Sequence, residues 1–200
     1  SRWNAGAVAY GWQFGTGSGG APDTEHTGAG RWVPTSGVGG GSYGLALPYG
    51  ATALTRAMGP TNDPDITSMV VAFSLSIEAD GSGVQDANNI LEILDGTGNE
   101  YIRIRTSSGG SSPFQVVGQV YDGSTWQTAF TTAQDWSTST VYWVILEVNR
   151  NATTPWGTTI NLHRGTSTST PVRVGQGTPY DLNADRHLGK LRWSGIADTT

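Results

Sequence analysis

From residue 43 onward, apolar and polar residues alternate along most of the chain, the period-2 signature of strands with one buried face. In "MVVAFSLSIE" (69–78), Met69, Val71, Phe73, Leu75 and Ile77 face one way, and Val70, Ala72, Ser74, Ser76 and Glu78 the other. "YGLAL" (43–47) groups Tyr43, Leu45 and Leu47, and "TTINLH" (158–163) turns Ile160 and Leu162 to one side. "VYWVILEV" (141–148) is apolar on both faces, which predicts a central strand covered on each side. Further strands are predicted at "FQVVGQVY" (114–121), "TWQTAF" (125–130), "VRV" (172–174) and "LGKLRW" (188–193), with Gly118 and Gly189 at bulges or close backbone approaches. No stretch carries the 3.6-residue period of a helix. Short strands joined by turns predict an all-β fold, a two-sheet antiparallel β-sandwich or jelly roll.

The segments 15–32 and 35–41 are rich in Gly and read as loops. Residues 1–40 are therefore expected to form a Gly-rich N-terminal arm with a first edge strand, and 41–200 the sandwich, as one domain overall. "STST" (137–140) and "TSTST" (166–170) read as solvated loop tips.

One hairpin carries the first candidate chemistry. "LEILDGTGNEYIRIR" (91–105) holds Glu92, Asp95 and Glu100 around a Gly-rich turn. A four-residue turn over 95–98 sets Leu94 opposite Asn99, Glu92 opposite Tyr101 and Ile90 opposite Arg103. Leu91, Ile93, Ile102 and Ile104 then face inward, and Glu92, Tyr101, Arg103 and Arg105 outward; a one-residue slip would mix the faces. In this register Glu92 meets Arg103 diagonally as a surface pair. Glycosidases need two carboxyl groups about 5 Å apart or roughly 6.5–9.5 Å apart. Here Asp95 falls in the turn and Glu100 points to the other side, so Glu92 is expected to have no carboxylate partner.

Composition narrows the field. The 200 residues include no Cys, which excludes a disulfide framework, a thiolate metal site and a Cys nucleophile. The net charge is −5 and the cations are scattered, so no basic face suits nucleic acid. No apolar run is long enough to insert into a membrane. The first residues, "SRWNAGAVAYGWQF", lack the basic start and apolar run of a signal peptide.

The strand pattern resembles the concanavalin A-like superfamily, and laminin G-like domains in particular. "GSYGLALPYGATAL" (41–54) is similar to their opening strand, "ITSMVVAFSLSIE" (66–78) to the long second strand, and "ILEILDGTGNEYIRIR" (90–105) to the central hairpin. "TVYWVILEVNRNATTPWGTTINLHRG" (140–165), with Trp143 and Gly165, resembles the core strand and its return, and "HLGKLRWSGIA" (187–197) the closing strand. The resemblance implies a jelly roll that binds glycans or proteins, in some members with calcium at a loop edge. It departs from the enzymes of the superfamily. The three alternating acids of laminarinase-type glucanases are missing, and of the alginate-lyase pattern only "RIR" (103–105) is present. His26, His163 and His187 stand outside any Ser/His/Asp motif and read as ordinary polar side chains.

Eight Trp residues offer aromatic faces on which sugar C–H groups pack. Trp143 and Trp193 lie in apolar strands and read as core. Trp126, Trp136 and Trp156 lie near polar loops and are candidates for ligand contact, beside the outward Glu92, Tyr101, Arg103 and Arg105, whose guanidinium forks suit acidic groups. "DLNAD" (181–185) alternates oxygen donors, but Arg186 and Arg192 stand where an EF-hand needs Gly and Glu. A simpler Ca2+ site there or in "DGSGVQDANN" (80–89) stays open.

These features lead to a non-catalytic recognition module that binds glycan at an extracellular, cell or virion surface. The alternative is a structural protein of a virion or extracellular assembly, partnered by copies of itself or other components. A polysaccharide lyase or hydrolase is a minor alternative.

Overall fold

The computed structural model describes residues 31–34, 43–46, 54–57, 68–75, 77, 89–95, 98–107, 113–150, 157–166, 169–181 and 189–193. These form strands β1 (Arg31–Pro34), β2 (Tyr43–Ala46), β3 (Leu54–Ala57), β4 (Ser68–Leu75), β5 (Asn89–Leu94), β6 (Glu100–Ser107) and β7 (Gln115–Tyr121). They continue with β8 (Trp126–Thr131), β9 (Tyr142–Arg150), β10 (Gly157–Thr166), β11 (Val172–Gln176), β12 (Tyr180–Asp181) and β13 (Lys190–Trp193). One sheet runs β3-β13-β5-β6-β7-β8, the other β11-β10-β9-β4 with β12 against β10, and β1 pairs with β2 alone. The fold is an all-β sandwich of antiparallel sheets, as the alternation predicts. β3 and β12 are additional to the predicted strands, and β1 overlaps the segment expected as a loop.

The two inward faces make one core. Val71 and Phe73 of β4, Tyr142, Val144, Leu146 and Val148 of β9, and Ile160 and Leu162 of β10 meet Leu91, Ile93, Ile102, Ile104, Val116, Val120 and Leu191 of the other sheet. Each such side chain contributes about 1.5–3 kcal/mol on burial, so this slab outweighs any polar contact in the fold. Trp193 packs edge-on against Phe73, with ring centroids 4.6 Å apart. Phe130 fills the space above two glycines: a Cβ on Gly118 would stand 2.3 Å from its ring, and one on Gly175 2.5 Å. Gly118 does sit at a bulge against β8, and the buried Gly189 donates its N–H to the Leu94 carbonyl at 3.0 Å.

Three placements differ from expectation. β9 alternates between core and half-exposed residues, because only its inward face meets the other sheet. Trp143 thereby points outward and is half-buried; its neighbours along the strand, Tyr142 and Val144, take the core side. Trp136, expected near a ligand, is 1% exposed and belongs to the core. Its N–H donates to Thr132 Oγ1 at 3.0 Å, its backbone bridges Phe114, and Arg164 lies 4.8 Å over its ring. Arg164 is in turn forked onto Asp135 at 2.6 and 2.7 Å, closing that end of the sandwich.

Candidate functional site

The hairpin of β5 and β6 organises the outer face of the six-stranded sheet. Its turn closes through the Asp95 N–H donating to the Asn99 carbonyl at 2.9 Å, while Asp95 Oδ1 accepts from the Asn99 N–H at 2.9 Å. Gly98 takes φ 99°, a left-handed conformation that a side chain would strain. Beyond the turn the register is two residues from the predicted one: Glu92 faces Arg103, Ile93 faces Ile102 and Leu91 faces Ile104. A shift of two keeps every face, so Leu91, Ile93, Ile102 and Ile104 are inward as expected.

A turn that sets Leu94 opposite Glu100 and an irregularity between Ile93 and Leu94 produce that shift, and a second irregularity, between Asn89 and Leu91, takes it back by one. Each irregularity leaves one residue unopposed, Ile90 on β5 and Tyr101 on β6, and both enter the core. Tyr101, expected on the outer face, is 0% exposed. Each bulge also reverses the alternation beyond it, which brings Asn89 and Glu100 onto the face of Glu92. Glu92 therefore does have a carboxylate neighbour, against the sequence expectation.

What lies between the two acids decides their chemistry. Arg192 of β13 is the register partner of Glu92 on its other side. Its Nε donates to Glu92 Oε2 at 2.5 Å, its Nη2 donates to Glu92 Oε1 at 2.8 Å, and Nη2 also pairs with Glu100. Asn89 Nδ2 donates to Glu92 Oε1 at 2.6 Å. Glu92 is 1% exposed with donors on both oxygens, so it is a buried ion pair rather than the surface pair expected. Both oxygens of this carboxylate are engaged within the fold.

The other end of the face is built differently. Register aligns Arg192, Glu92, Arg103, Gln119 and Thr128 in one row across five strands. Arg103 Nε donates to Gln119 Oε1 at 2.7 Å, and Arg105 Nη1 reaches the same oxygen at 3.5 Å. The Gln119 amide leans the opposite way, to Thr128 Oγ1 at 3.4 Å. The Arg103 guanidinium lies 4.0 Å over the ring of the half-exposed Trp126, which meets Tyr121 at 5.4 Å and 52°. Burial first, and then the charge of Arg105, push the Arg103 guanidinium below its usual value, with Glu92 opposing.

Of the residues expected to bind ligand, Arg103, Arg105 and Trp126 come together on this face, while Glu92 lies beneath it and Tyr101 and Trp136 lie in the core. Trp156 lies outside the described residues, as do 182–185 and 80–88 of the calcium segments. Among the described residues no group of three or more His, Asp or Glu is placed to hold a metal ion. Gln119, Tyr121 and Arg192 were not foreseen at the site. Strand alternation in "FQVVGQVY" and "LGKLRW" marks all three as outward, but their partners come from other strands, Glu92 and Arg192 being 100 positions apart.

The two antiparallel sheets make an all-β sandwich of the jelly-roll kind. Among solved structures it is similar to the T. cruzi calreticulin globular domain, with TM-score 0.51 and 12% identity over 86% of this chain and 80% of that one. No protein-family model matches the chain, and no curated protein matches it.

Proposed function

We propose that this chain is a non-catalytic recognition module that binds glycan at an extracellular, cell or virion surface, through the outer face of β6–β8. The observation that carries this reading is the half-exposed Trp126 set at an angle to Tyr121 and flanked by Arg103, Gln119 and Thr128. An aromatic corner packs sugar C–H groups, and the surrounding amide, hydroxyl and guanidinium groups meet sugar oxygens. The shared architecture with a calreticulin globular domain supports a binding role, although fold alone does not assign one. The non-catalytic part rests on Glu92, whose oxygens are engaged by Arg192 and Asn89. A glycan array probed with the full chain, with and without chelator, should give signals that Trp126→Ala removes. Silence on every glycan would refute the reading, and release of reducing ends or unsaturated uronate from a polysaccharide panel would refute its non-catalytic part.

A second reading, a structural unit of a virion or extracellular assembly, has its own observation. Among the described residues β4 pairs on one side only, and its eight residues expose Val70 at 65%. A long edge strand with an exposed apolar residue is a template for pairing with another chain. Light scattering on the purified protein should then show an assembly, and a monomer at all concentrations would eliminate this reading.

A further inference from the structure

We infer that the Arg103–Arg105 end of this face is an oxyanion subsite, which takes a sulfate ester or carboxylate carried by the saccharide. The inference rests on the glycan reading above and names the chemistry of that site. Arg103 and Arg105 stand two apart on β6, so both side chains leave the same face of the sheet. Both converge on a single neutral acceptor, Gln119 Oε1, at 2.7 and 3.5 Å. No ion pair reaches either guanidinium among the described residues, because the nearby acids, Glu92 and Glu100, are both joined to Arg192. Among the described residues, three guanidinium groups thus share this face with two carboxylates, and the excess positive charge falls at the Arg103–Arg105 end.

Among the described residues Arg105 is held there without a charge partner. Its Nε is enclosed and has no acceptor, and its bond to Gln119 is long. Two like charges kept close together with one amide oxygen between them repel each other. An oxyanion arriving from solvent relieves that repulsion and offers both guanidinium forks the bidentate acceptor they lack. The surrounding chain carries a net −5, so a polyanion gains little from the rest of the surface and is directed to this spot. Trp126, against Arg103, places the sugar ring that bears the anion.

The test is titration calorimetry on the full chain with three probes: a sulfated heparin-derived tetrasaccharide, a galacturonic acid trimer and a neutral glucose tetramer. At least one anionic probe should bind, about tenfold more weakly in Arg105→Gln and Arg103→Gln, and more weakly again as salt rises from 50 to 300 mM. Arg173→Gln, a charge change on the exposed β11, should leave binding unaltered. Arg103→Lys keeps the charge without the fork and should fall between wild type and Arg103→Gln, which separates recognition from failure to fold. The two anionic probes distinguish sulfate from carboxylate. Binding of the neutral tetramer alone overturns the oxyanion subsite and leaves the glycan reading standing, whereas equal losses in Arg173→Gln and Arg105→Gln reduce the site to diffuse attraction and overturn it. Binding of none of the three overturns the subsite, and the glycan array then judges the broader reading separately.

Discussion

The two ends of one sheet face handle charge in opposite ways. On β13 and β5, Arg192 is clamped between Glu92 and Glu100, and Glu92 is sealed at 1% exposure. On β6 to β8, Arg103 and Arg105 are half-exposed and share one amide oxygen, with no carboxylate bonded to either among the described residues. The first arrangement engages both oxygens of the carboxylate it buries. The second leaves donors unmatched, which costs stability and, on the proposal above, is what an arriving anion uses. Acidic residues drew notice in the sequence, but the functional promise lies with the cations.

The comparison breaks most readily at Glu92. Replacing it with Gln leaves the Arg192 guanidinium without its main partner, and should lower unfolding free energy in urea by about 3 kcal/mol. Pairing Glu92→Leu with Arg192→Leu should recover most of that loss, since apolar replacements of a buried pair are often neutral. A Glu92→Gln cost below about 1 kcal/mol would mean that the two ends do not differ.

A smaller effect is expected at Asp135–Arg164, whose geometry is as good but whose carboxylate is 51% exposed. Hydrogen bonds from Arg164, the largest influence, hold the Asp135 carboxyl below its usual range. A depressed acid stabilises the fold above its unfolded value of about 3.9 and ceases to do so as pH falls through the folded value. Asp135→Asn should therefore cost less than about 1 kcal/mol at pH 6, and progressively less as pH falls below the unfolded value, by thermal unfolding. Agreement would show that burial, rather than fork geometry, makes Glu92 expensive to lose.

The smallest effect on stability belongs to the ligand end. Arg105→Gln removes a like charge from beside Arg103 and should change unfolding free energy by less than about 0.5 kcal/mol, in either direction, while weakening anion binding. A loss as large as that at Glu92 would make Arg105 a structural residue.

The strand faces were legible in the sequence because burial enforces alternation: Val71 and Phe73 on β4, and Ile102 and Ile104 on β6, all lie in the core. Partners were not legible. A simple turn predicts Glu92 beside Tyr101, but a turn that sets Leu94 opposite Glu100 and the unopposed Tyr101 together move the register by two residues at no cost to the faces. That same freedom brought Glu100 to the outside and took Tyr101 in. Trp136 shows the other gap: set among Asp, Ser and Thr, it has a polar neighbourhood in sequence and an apolar one in space, because the chain folds Phe114, just before β7, and Tyr142, at the start of β9, against its ring. Arg103, Arg105 and Trp126 could be proposed from their residue types, while their meeting over Gln119 required the alignment of three strands.

The ring of Phe130 serves as a bolt between layers, shot from β8 into two sockets, Gly118 in its own sheet and Gly175 in the opposite one. The three positions are therefore coupled as tenon and mortise. A methyl added at either socket collides with the bolt, and a shorter bolt leaves both sockets hollow. A larger residue at either glycine therefore needs a smaller one at position 130 to make room.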